Sequence, residues 1–172
     1  MELFEALNTR RSIRKYQEKE IPEAIVQKIL AAAMMAPSAG DARPWQFVLV
    51  TDPDQKEQVK AAHPHAGMIR KAPLGILVCG DLTKEKYPGF WPQDCSAAMQ
   101  NLLLAACGSG LGAVWTGIYP LEERVAKFKE IFALPGHIVP LGLAVMGWPD
   151  QSPASRERFS QERIHHNRWQ GK

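Results

Sequence analysis

The 172-residue sequence predicts one domain in which helices and buried strands alternate around a single apolar helix. Three observations predict it. Within residues 93–120, Cys95, Ala98, Met99, Leu102, Leu103 and Ala106 recur at three- and four-residue spacing, the repeat of one helical face. From Leu102 to Cys107 the other faces are apolar too, so protein is expected around most of this helix. Short apolar runs at 46–51, 74–80, 113–116 and 138–146 have the length of buried strands, and amphipathic patterns separate them. With 45% hydrophobic residues a chain of this length can bury a real core, and no internal repeat divides it.

Residues 2–9 read as a short helix with Leu3, Phe4 and Leu7 inward, and it runs straight into Arg10, Arg11, Ser12, Ile13 and Arg14. Three guanidiniums and a hydroxyl form a dense anion site, because arginine forks match phosphate oxygens and serine adds a neutral hydrogen bond. Without context the same run is a solvated basic patch. Residues 22–35 are the next helix, with Pro22 in its first turn and Ile25, Val26, Ile29, Leu30 and Ala33 on one face. A turn-rich loop, 36–45, leads into the strand at 46–51, whose near-continuous apolar run suggests burial on both faces. Asp52-Pro53 opens a polar helix to about Ala62. His63-Pro64-His65 follows it with no Cys or carboxylate at matching metal-ligand spacing, and reads as a surface loop.

After the buried strand 74–80, residues 81–92 are polar, with Tyr87, Pro88, Phe90, Trp91 and Pro92 clustered. Such a cluster either borders a pocket or shields one end of the sheet. Asp94 is a cap for the start of the central helix, and Gly108, Gly110 and Gly112 end it, since glycine reaches the left-handed conformation without steric cost. The strand 113–116 follows at once. Residues 120–132 are amphipathic, with Leu121, Val125, Phe128 and Phe132 inward, and 138–146 is the last strong strand. From Asp150 on, apolar residues are sparse apart from Phe159, Ile164 and Trp169, too few for a core of their own.

Composition excludes several classes. A formal net charge of +3 without a clustered basic face argues against nucleic acid. Residues 1–30 lack a charged segment followed by an apolar run and cleavage site, and no stretch has the roughly 18 apolar residues of a membrane span. The protein is expected to be soluble and cytoplasmic. Cys79, Cys95 and Cys107 are odd in number and set in apolar sequence, which favours reduced buried thiols over disulfides. The glycines at 108–112 look like a dinucleotide loop but close a helix instead of opening one. There is no Walker loop, no Gly-x-Ser-x-Gly elbow and no Cys-x-x-Cys.

Four segments, in this order, resemble the nitroreductase family of FMN-dependent oxidoreductases: Arg10-Arg11-Ser12-Ile13-Arg14, Pro37-Ser38-Ala39 before Pro44-Trp45, the helix–glycine–strand core ending at Trp115-Thr116-Gly117, and Pro153 to Phe159. The resemblance implies an α+β fold with a mixed central sheet flanked by helices. It implies a single FMN-binding domain over 1–149 and a homodimer in which 150–172 extends over the partner. Carried over, Arg10, Ser12 and Arg156 hold the phosphate and ribityl side of FMN, Arg11 belongs to the same cofactor-binding run, and Arg14 approaches the pyrimidine edge. Pro37, Ser38 and Ala39 lie against the flavin and the subunit interface, and the backbone of Trp115, Thr116 and Gly117 faces the reactive edge. Asp41, Arg43 and Ala154 stand where the family commonly has Asn, Gln and Lys. An acid near a flavin opposes its reduction unless a base such as Arg43 neutralises it.

The activity implied is transfer of hydride equivalents from NAD(P)H through FMN to a nitroaromatic, a quinone or a similar small acceptor, with no side-chain general acid and no metal. Reductive dehalogenation, or destruction of the flavin itself, is the alternative on the same scaffold. A non-enzymatic dimer binding an anion through Arg10, Arg11 and Arg14 is the alternative outside it.

Overall fold

A computed structural model describes residues 2–154 and 156–169. The elements follow in the order α1 (Leu3–Thr9), α2 (Glu23–Met34), β1 (Trp45–Val50), α3 (Pro53–Ala62), β2 (Leu74–Asp81), α4 (Trp91–Gly108), β3 (Gly112–Gly117), α5 (Glu122–Ile131) and β4 (Ile138–Gly147). The strands form one sheet in the order β1-β2-β4-β3, with every neighbouring pair antiparallel. Parallel pairing enters through an isolated bridge between Ser12 and Ala113, outside these strands.

Two cores sandwich the sheet. On one face α2 and α4 pack through Ile29, Ala33, Cys95, Met99 and Leu102 against Ile76, Val78, Ala144 and Met146. On the other, Val59 of α3 and Phe128 of α5 join Ile69 and Ile118 over Leu77, Leu143 and Val145. Both faces of β2 are therefore covered, and all eight of its residues are buried. The α4 helix is the apolar centre that its sequence indicates, ending through Gly110 at φ 80°.

Several local expectations are corrected. Leu3, Phe4 and Leu7 are exposed, because the seven-residue α1 turns only Ala6 into the core. Leu49 of β1 is exposed as well, since β1 is an edge strand that the helical layers do not fully cover. Leu121 precedes α5 and points outward. The α4 helix starts one turn earlier than Asp94: Glu85 Oε1 accepts from the Gly89 and Trp91 amides, both at 2.9 Å, and so closes the turn that leads into the helix. Asp94 sits inside it, buried, and accepts from the Ala39 amide at 2.9 Å. The 81–92 cluster divides, with Trp91 buried against Gly80 and 4.8 Å from the Tyr119 ring while Tyr87 and Phe90 stay exposed. Cys79 and Cys95 are buried free thiols while Cys107 is half-buried, and burial pushes the Cys79 thiol up to about 12.

Candidate functional site at the outer edge of β3

One edge of the sheet is β3, and the chain from Arg10 to Tyr16 meets it at Ala113 and then passes to Pro149, beyond the end of β4. The Ile13 amide donates to the Ala113 carbonyl at 3.0 Å beside the Ser12–Ala113 bridge. Glycine at 112 makes this approach possible, because a Cβ there would lie 2.6 Å from Ile13 Cβ. Tyr16 anchors the far end: its buried hydroxyl oxygen lies 2.5 Å from the Ile13 carbonyl and 2.9 Å from that of Val145, and burial raises its pKa well above the ordinary phenol value. The Lys15 carbonyl accepts from the Asp150 amide and the Arg14 amide donates to Gln151 Oε1, so the residues after β4 close over the same strip.

With its backbone pinned, the strip exposes its polar groups. Arg10 and Arg11 are half-buried, Ser12 and Arg14 exposed. The ion pairs among the described residues, Arg43–Asp41, Arg70–Glu57 and Lys127–Glu123, involve neither Arg10 nor Arg14. A cleft of about 430 Å³ has Arg10 and Arg11 on one wall and Gly110 to Ala113 on the other. Beyond Arg14, a second cleft of about 590 Å³ is lined by Val114, Trp115, Thr116 and Gly117, with His63, His65, Met68 and Arg124 opposite. Arg156 and Arg158 share a third, of about 440 Å³, with Arg11, Leu7 and Phe159. Cations from both ends of the chain thus meet at Arg11, which lines this cleft and the first.

The strand itself is shaped for contact. The Ile118 amide bonds the Leu141 carbonyl, and counting back along the antiparallel ladder leaves Gly117 opposite Gly142 in a non-hydrogen-bonded pair. The Gly117 N–H and C=O therefore point to the outer edge. Trp115, about one-third exposed, lies over Gly142, where a Cβ would collide with its indole nitrogen.

His63, expected on a surface loop, is 2% exposed. Its Nδ1 accepts from the His65 amide at 3.1 Å, so Nε2 carries the proton and donates to the Gly117 carbonyl at 2.9 Å. Desolvation, then the nearby Arg124, holds its pKa below the usual histidine value. Arg124 Nη1 donates to the same carbonyl at 2.7 Å. Neither residue is among the sequence-derived site residues. The His-x-His spacing drew attention only as a metal pair, and among the described residues no group of three or more metal-ligating side chains forms.

Pro37, Ser38 and Ala39 lie elsewhere, in the loop before β1, the strand at the opposite edge of the sheet, three strand spacings or roughly 14 Å from β3. Neither cleft along β3 includes them. In that loop Arg43 grips Asp41 with two hydrogen bonds of 2.7 Å and holds its carboxyl below the usual range. Asp41 and Arg43 both have positive φ, a backbone conformation that residues other than glycine rarely adopt.

A family model described as the nitroreductase family matches residues 7–66 and 59–148. A protein of Methanothermobacter thermautotrophicus, named as a candidate NADH dehydrogenase/NAD(P)H nitroreductase, is 50% identical over 98% of this chain and 88% of its own. A crystal structure under the same name from Parabacteroides distasonis superposes with a TM-score of 0.93 at 40% identity, covering 97% of this chain and 98% of that one. A candidate nitroreductase of Desulfovibrio desulfuricans, solved in complex with FMN, superposes at 0.85 with 28% identity and 97% coverage of both chains. The chain belongs to the nitroreductase family.

Proposed function

We propose that this protein is an FMN-dependent oxidoreductase that passes hydride equivalents from NAD(P)H to a nitroaromatic, quinone or similar small acceptor. The observation that carries this is the cationic strip Arg10–Arg14 pinned at the start of an edge strand whose outward backbone at Gly117 is not spent on the sheet. The names of the relatives, an NAD(P)H nitroreductase among them and an FMN complex among the structures, point the same way.

The residues fit the cofactor by their chemistry. FMN carries a phosphate dianion at one end and a flat ring that gains negative charge at the other. Arg10 and Arg11 would hold the phosphate and ribityl side with the exposed Ser12 between Arg11 and Ile13, joined by Arg156 across the neighbouring cleft. Arg14, Trp115, Thr116 and Gly117 share the second cleft, so the ring would meet a guanidinium and an open backbone edge together. Bound FMN supplies hydride transfer in both half-reactions. Arg14 stabilises the added charge as preorganised positive potential, and the Gly117 N–H offers a fixed donor without a side chain. Asp41 brings no uncompensated negative charge, because Arg43 already neutralises it.

The separation of Pro37–Ala39 from β3 supports a homodimer in which these residues reach the flavin bound by the other copy. The exposed apolar side chains of Leu3, Phe4, Met35, Phe159 and Trp169 are surfaces that a second copy would cover. In this proposal 1–149 is the flavin-binding domain, and the segment from 150, after closing over the strip of its own subunit through Asp150 and Gln151, goes on to pack on the partner. Among the described residues no helix is long and apolar enough to cross a membrane, and we place the enzyme in the cytoplasm.

The test is the visible spectrum of the purified protein followed by anaerobic NAD(P)H. FMN that is released on denaturation and bleaches with NAD(P)H is expected. No flavin after reconstitution with excess FMN would overturn the proposal, and loss of the flavin spectrum in air would favour flavin destruction.

A further inference from the structure

We propose that His63 and Arg124 are positioning residues for the flavin ring: they hold the Gly117 carbonyl together, and Arg124 adds a second cation to the cleft that Arg14 lines. This inference rests on the FMN proposal above. Gly117 ends an edge strand, and the space where its Cβ would lie is open, so no side chain of its own fixes the peptide. The two hydrogen bonds at its carbonyl replace that missing constraint. Both donors come from outside the sheet: His63 from the loop after α3, and Arg124 from the first turn of α5.

The two donors differ in charge, which separates their roles. His63 is a neutral donor with its tautomer set by the His65 amide, and Phe128 lies edge-on 6.3 Å beneath it. The charged or titratable groups that face it are Arg124 on α5, His65 on its own loop and Arg14 across the cleft. Removing His63 therefore loosens the peptide without changing the charge. Removing Arg124 does both, and takes away positive potential where reduction adds an electron pair.

The experiment titrates FMN into apo-protein of the wild type and of His63→Leu, His63→Gln, Arg124→Gln and Arg124→Lys. Affinity is read from flavin fluorescence, midpoint potential from an anaerobic dye titration, and folding from thermal melts. His63→Leu is expected to weaken FMN about tenfold, the upper end for one neutral hydrogen bond, and to leave the potential unmoved. His63→Gln, which presents an amide N–H where Nε2 stood, restores most of that loss. Arg124→Gln weakens oxidised FMN about tenfold and reduced FMN tenfold more, a potential lower by about 30 mV for a two-electron couple. Arg124→Lys keeps the potential. Wild-type binding with both His63→Leu and Arg124→Gln within twofold of it overturns the inference. If His63→Leu does not fold, the partly exposed Arg124→Gln decides alone. A wild type that binds no FMN overturns the FMN proposal itself, which is a different result from variants that match a binding-competent wild type.

Discussion

Single residues hold the β3 edge together by what they lack or withhold. Gly112 has no Cβ, and that absence lets Ile13 lie against the strand. Gly112→Ala would force the two segments apart at a cost of about 1–3 kcal/mol, the usual penalty for overpacking, visible as a lower urea midpoint. His63 withholds its proton. Its pKa lies below 6.5 in the folded state, so as pH falls through 6.5 the unfolded chain takes up a proton that the native state refuses. Stability should therefore drop as pH falls below 6.5, until the native histidine titrates too. Urea unfolding at pH 7.5 and 5.5 should show this drop, reduced in His63→Gln; equal drops in both proteins would contradict the assignment. Why His63 is buried could not be seen in its neighbours, because its partner carbonyl lies 54 residues away at Gly117.

At the scale of elements, α4 does two jobs. Its apolar face fills the core beneath the sheet, and its buried Asp94 ties down the amide of Ala39 in the loop before β1. Asp94→Ala should cost about 1–3 kcal/mol by leaving that amide unsatisfied, whereas Asp94→Asn keeps an acceptor and should recover part of the loss in the same denaturant titration. The position of α4 was legible because its residues are apolar around most of the circumference. Its start was not, because the turn that precedes it is closed from outside the helix by Glu85. The same distinction explains α1: a three- and four-residue repeat marks an apolar face, but not what covers it.

For the whole molecule, three layers put β3 at an open edge and the Pro37–Ala39 loop at the other. A complete flavin site on our proposal needs two copies. Sedimentation should give about 38 kDa, twice the 19.2 kDa chain, and a single-chain mass would contradict the shared site. The residues after Pro149 contribute nothing to the buried core among the described residues. A chain ending at Pro149 should accordingly keep its cooperative melt while losing Arg156 and, with it, about tenfold or more in FMN affinity. Loss of the melt instead would mean that the segment serves folding and not the partner.

By itself the sequence determined the order of helices and strands, the apolar centre at α4 and the family, because periodicity, glycine stops and short motifs are local properties that the chain carries wherever it goes. The tertiary structure alone decided that every neighbouring strand pair is antiparallel, that His63 is buried and Leu3 exposed, and that Arg124 joins Arg14 in one cleft. Each of these depends on which distant backbone groups remain unpaired once the sheet has formed. That is a property of register and layer order, and no local pattern encodes it.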